Sequence, residues 1–153
     1  MHEIAAKAIA FAQAARPDFA GYVHQAVRNA SVLAERLSGE GLRLLTGGSD
    51  PHLVTADVGP LGLTGQQAEV RCADAAILLG RCAVPYDPRP PAVASGVRLG
   101  TGCVTTQGMT EESMGEVAQL VGQALRGAEP ATELAARAAA LVAAYPPYPG
   151  TGG

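Results

Sequence analysis

The stretch GRCAVPYDPRPPAVASGVRLG, residues 80–100, decides the fold class. Four prolines within residues 80–95 exclude a helix interior, because proline lacks the amide donor and its ring clashes with the preceding turn. A segment of that length inside a compact domain is expected to be a functional loop rather than a connector. GVRLG, 96–100, then resumes as a strand. Just before the loop, Ile77–Leu79 predicts another short strand, and Thr64 is positioned to cap a helix TGQQAEVRCADAA with Ala68, Val70, Cys72 and Ala75 available for burial. Earlier still, LRLL (42–45) and HLVTADV (52–58) flank the turn TGGSDP and predict a hairpin-like pair of strands.

Helices lie on both sides of these strands. In residues 4–15, Ile4, Ala8 and Phe11 recur at helical spacing until Arg16-Pro17 breaks the pattern. A second helix is expected from Asp18, as N-cap, to Leu37, with Phe19, Val23, Val27, Ala30, Leu33, Ala34 and Leu37 on one face. Beyond the loop, Thr110 with Glu111 and Glu112 opens an acidic first turn, followed by Met114, Val117, Leu120, Val121 and Leu125 at helical spacing. A last helix is expected from Ala131 to Ala144, and the Pro- and Gly-rich end is expected to fray, with 149–153 a flexible tail. The sum is an α/β small domain of two layers, a short sheet with helices packed on one face. The first helix is mostly apolar with little polar face, so it is expected to be covered by a neighbour.

Composition narrows the function classes. The 153 residues suit one domain, and Lys plus Arg 11 against Asp plus Glu 14 gives a net charge of -3, which disfavours nucleic acid and anionic membrane surfaces as partners. No apolar run approaches the roughly 20 residues of a membrane span, and acid and base interrupt the apolar N-terminus, unlike a signal peptide; a cytoplasmic location is expected. Cys72, Cys82 and Cys103 form no C-x-x-C pair and are expected to be reduced thiols, with no zinc site. Lys7 is the only lysine.

Several residues invite a chemical reading. Asp50, His52 and Asp57 suggest an acid-base constellation, against which stand a tight turn at Asp50 and a strand start at His52. Gly47-Gly48 could cradle a phosphate, but no P-loop spacing follows, and a turn explains the pair better. Arg98, from spacing alone, fits a structural ion pair on a strand end.

The segment Pro85, Asp87, Pro88, Pro91, Ser95, Gly96, Arg98, Gly100, Thr101, Thr105 and Gly108 resembles the C-terminal small domain of the serine hydroxymethyltransferase family. AAKAIAF, GGSDPHLVTADV and GLTGQQAE extend the resemblance over about Ile4 to Tyr148. It implies the small domain of a fold type I pyridoxal-phosphate enzyme, with a mostly antiparallel sheet, in the interconversion of serine and glycine in one-carbon metabolism. It also implies that Arg98 grips the α-carboxylate of an amino-acid substrate, a task suited to a planar guanidinium. Cys82, Ser95 and His52 are then candidate pocket residues. Residues 1–16 are expected to join or dock on a large domain, with 17–148 the small domain proper.

The departures from the family pattern carry information too. Where the family reads N-K-N, with the second Asn helping to bind the pterin, this chain has Gly80-Arg81-Cys82, which counts against tetrahydrofolate. A folate-independent threonine aldolase- or transaldolase-like subunit is therefore the alternative activity, and a non-catalytic fragment or regulatory module the alternative without one. Cys82 could tune the altered pocket or be a small buried thiol. The family's Schiff-base lysine context is absent, and Lys7 lacks the framework to replace it. No catalytic residue is expected in this chain, and pyridoxal phosphate is expected to come with a lysine-bearing large domain or a full-length homologue, in a dimeric assembly.

Overall fold

The structure is a computed structural model and describes residues 1–147; the expected flexible tail at 149–153 lies outside the described residues. Two helices lead the chain, α1 (His2–Ala14) and α2 (Pro17–Gly39). Strands β1 (Arg43–Leu44) and β2 (Leu53–Asp57) pair antiparallel in the expected hairpin, with Arg43 opposite Asp57. A 3-10 turn and α3 (Gly65–Asp74) follow, then β3 (Gly80–Cys82), the proline-rich loop and β4 (Gly96–Gly100). A short α4 (Gly102–Thr106), α5 (Glu111–Arg126) and α6 (Ala131–Ala144) complete the described chain.

The four strands run in the order β1-β2-β4-β3, every pair antiparallel. Side chains alternate between the two faces of a strand, and register partners share a face. Val54, Ala56, Val97 and Leu99 therefore point one way, and all are buried. Helices α2 and α3 pack against the sheet, and α5 packs on both. Leu33, Leu37, Cys72, Met114, Val121 and Leu125 join the core cluster between these layers. The expected two-layer α/β small domain is what forms.

Local chemistry explains where elements start. Thr64 accepts from the Gln67 amide at 3.1 Å while the Gln67 side chain accepts from the Thr64 amide at 2.9 Å, a reciprocal cap that fixes the start of α3. Helix α2 begins one residue before the expected cap: Arg16 occupies the N-cap, Pro17 the first turn, and Asp18 lies inside it. Pro17 has no amide to leave unsatisfied there, and Asp18 faces the positive end of the helix while pairing with Arg16 at 2.9 Å. Thr110 is the N-cap of α5, as its position suggested, but its side chain makes no capping bond.

Three expectations need correction. The strand expected at 77–79 forms instead at 80–82. Ala76 adopts a left-handed backbone, φ 58°, and the Ile77 amide closes on the Cys72 carbonyl at 2.8 Å, so these residues finish α3. Val70 is 53% exposed rather than buried, and on α2 the face shifts: Phe19 and Val23 stay exposed while Asn29 is fully buried. Asn29 is buried at no loss of bonding. It donates to Thr105 Oγ1 and the Met109 carbonyl, both at 2.9 Å, and accepts from Gln25. Helix α4 falls in a segment, 102–106, for which no element was expected.

Helix α1 buries none of its residues; Ile4 is 65% and Phe11 73% exposed. No helix among the described residues is long and apolar enough to cross a membrane.

Candidate functional site

The helices cover one face of the sheet, and Arg98 stands on the other. β4 places it at mid-strand, opposite Thr55 on β2 and Gly80 on β3. Its side chain alternates with buried Val97 and Leu99 and is itself exposed. Among the described residues no ion pair or hydrogen bond engages its guanidinium. Arg16, Arg28, Arg43, Arg81, Arg126 and Arg137 all sit in salt bridges, and Arg71 and Arg89 donate to a carbonyl and a hydroxyl. The structural ion pair that spacing alone suggested for Arg98 is not made, and the residue lies at mid-strand rather than at a strand end.

Glycines surround it. Along β4 the next residues on the same face are Gly96 and Gly100, and across the ladder on β3 is Gly80. Thr55 is the one adjacent residue on this face that carries a side chain. All three stand at strand ends, where they leave the backbone beside Arg98 without side chains. At Gly96 the reason is packing: an added Cβ would lie 2.9 Å from the Ala56 carbonyl oxygen and 2.9 Å from Val84 Cγ1. At Gly80 it would meet nothing within 4 Å.

The proline-rich loop borders this face and is held by one carboxylate. Asp87 Oδ2 accepts from the amides of Val84 (3.1 Å) and Ser95 (2.8 Å). Its Oδ1 accepts from the Arg89 amide (3.0 Å) and the Ser95 hydroxyl (2.6 Å). The Arg89 guanidinium donates to the same hydroxyl at 2.7 Å. The Ser95 hydroxyl bond and the backbone amides hold the Asp87 carboxyl down to about 2, against an opposing effect of burial. The sequence reading missed this role. Asp between two prolines is a turn-forming signature that could have revealed it.

The other candidates separate. Ser95 is buried, 2% exposed, and its hydroxyl is taken up by Asp87 and Arg89, so it braces the loop. Cys82 lies two residues beyond Gly80 on the same face and is half-buried. Burial pushes its thiol up, and nearby Asp87 adds to this while Arg98 opposes it. Cys72, fully buried in the core, is pushed up to about 12. His52 is exposed; its carbonyl accepts from the Thr101 amide at 3.0 Å, which ties β2 to the end of β4. Asp57 ion-pairs with Arg43 and caps the Gly59 amide at 2.7 Å. Along an extended strand it stands roughly 16 Å from His52, at about 3.3 Å per residue, so Asp50, His52 and Asp57 form no acid-base unit. Gly47-Gly48 lies in a turn closed by the Thr46 hydroxyl, which donates to the Gly48 carbonyl at 2.6 Å.

A pyridoxal-phosphate site needs a lysine amine and a phosphate cradle within one pocket. Lys7 is exposed on α1, a helix that buries none of its residues, and Gly47-Gly48 forms a turn rather than a cradle. The described residues do not fit that cofactor by themselves. No group of three or more His, Cys, Asp or Glu side chains that could hold a metal ion occurs among them. The arrangement on this face suits recognition of an anion by one free guanidinium above a floor of backbone.

Comparison with protein families gives a match to the model described as serine hydroxymethyltransferase, over residues 1–121. The match takes in α1, the whole sheet, the proline-rich loop and most of α5, while α6 lies beyond it.

Proposed function

Because the chain belongs to the serine hydroxymethyltransferase family, we propose that it supplies the substrate-side wall of a serine/glycine hydroxymethyltransferase-like site, with Arg98 as the residue that binds the substrate α-carboxylate. The observation that carries this reading is a mid-strand guanidinium with no bonded partner among the described residues, on the sheet face opposite the one packed by α2 and α3. An arginine without a carboxylate partner, beside glycines and backbone, is prepared for a bidentate grip on a planar anion. That grip fixes the orientation of the bonds at the substrate's Cα, which is how a protein helps select the bond that reacts.

The remaining chemistry belongs to a large domain that these residues do not include. That domain would bring the lysine and the pyridoxal phosphate, and α1, with Ile4, Ile9 and Phe11 exposed, would join or dock on it, in a dimeric assembly. Cys82 and Gly80 favour a second reading of the reaction. They leave a half-buried thiol and an empty position beside Arg98, which suits an aldol-type transfer without tetrahydrofolate.

The test is gentle purification of the tagged chain from its native cell, with mass spectrometry of what co-elutes. A stoichiometric lysine-bearing pyridoxal-phosphate partner is expected; a chain that elutes alone overturns the reading. In the resulting complex, Arg98→Ala is expected to abolish turnover of serine and threonine while leaving assembly intact. Undiminished turnover would remove the carboxylate role.

A further inference from the structure

The open space beside Arg98 has a direction. Toward Gly96 it is closed by Val84 Cγ1 from the loop, and toward Gly100 by Leu53, whose Cδ2 would lie 3.2 Å from an added Cβ. Across β2 stands the Thr55 side chain. Only at Gly80 is nothing within 4 Å, and β3 is the edge strand of the sheet, so the space continues off that edge. Its floor is Gly80 and, two residues on, the half-buried Cys82. Gly80 opens the three-residue edge strand β3 and places no side chain beside Arg98.

We propose that Gly80 is a specificity-determining residue: the lane it leaves beside Arg98 admits α-amino acids whose substituent is bulkier than the hydroxymethyl group of serine. This rests on the reading of Arg98 as the carboxylate-binding residue. With the carboxylate held by Arg98, a substituent on the neighbouring carbon extends over Gly80, the one adjacent position on this face without an obstruction. A leucine at residue 80 would fill that space, whereas an alanine would add one methyl group to it.

The geometry is tested on the chain alone with two arginine reagents of different size, methylglyoxal and phenylglyoxal, followed by peptide mass spectrometry. Arg36, exposed and also without a bonded partner among the described residues, serves as the internal reference. Gly80→Leu is expected to slow phenylglyoxal at Arg98 by roughly fivefold or more relative to Arg36, through simple steric exclusion, and methylglyoxal much less. Gly80→Ala, which retains the fold with least perturbation, should give a smaller change of the same sign. An Arg98-to-Arg36 rate ratio for phenylglyoxal that is unchanged in both variants would overturn the lane. In the complex with the large domain, Gly80→Leu should raise KM for threonine by a larger factor than KM for glycine, and an equal factor for both would overturn the specificity role. Protection of Arg98 from phenylglyoxal by saturating glycine in that complex tests the underlying reading separately. Its absence would overturn the carboxylate role, and the substrate assignment with it, even if the lane's geometry were intact.

Discussion

On one face of the sheet, Val54, Ala56, Val97 and Leu99 lie under α2 and α3 and lose nearly all contact with solvent. On the other, one residue along the same strands, Thr55 and Arg98 have no helix above them and glycine occupies the positions around Arg98. The two faces share a backbone and a register, so the contrast comes from side chains alone. The covered face supplies stability through buried apolar area, at about 25 cal/mol per Å². The other face carries less apolar burial, and its Arg98 has no bonded partner among the described residues. An antiparallel sheet commonly leaves one face to solvent, so the open face alone assigns no role; the proposed site rests on Arg98 standing there without a bonded partner among the described residues.

Substitutions can break or sharpen that contrast. The largest effect on stability is expected from Leu125→Ala, which removes a fully buried side chain behind the covered face; a loss of about 2–5 kcal/mol in denaturant unfolding is expected. Gly96→Ala comes next. The new methyl would press on the Ala56 carbonyl and Val84, and overpacking of this kind costs roughly 1–3 kcal/mol, read as a lowered Tm. Asp87→Asn follows, with an effect that depends on pH. The folded carboxyl sits at about 2 against an ordinary 3.8, so its contribution is complete above the ordinary value and is lost as pH falls toward 2. Asp87→Asn should therefore flatten the acid limb of the stability profile and speed amide exchange at Val84 and Ser95. Smallest is Arg98→Ala, expected to change stability by no more than about 0.5 kcal/mol, as for other exposed residues. A large destabilisation by Arg98→Ala would erase the distinction between the faces.

Much of this was legible in the chain. Thr64 and Gln67 mark the start of α3, the branched residues of 53–57 mark β2, and the prolines keep helix out of the loop, because each signal is carried by neighbours in sequence. The motif around Arg98 likewise pointed to the family that the comparison identifies. The loop's anchor was less visible. Asp87 and Ser95 both lie within the motif, but their mutual bond depends on how the loop folds back. The misplaced β3 has a similar origin: Ile77–Leu79 has strand-like composition, but Ala76 and Ile77 are already used to close α3.

The sequence by itself determined the α/β class, the limits of most helices, the family, and the identity of the one arginine worth testing. Periodicity, capping and motif are properties of contiguous residues, so they survive without coordinates. Only the tertiary structure decided that Arg98 has no bonded partner among the described residues, that Gly80 is its register partner, and that β3 is a sheet edge. These follow from strand order and register, which are set by hydrogen bonds between segments far apart in the chain and by which face the helices bury.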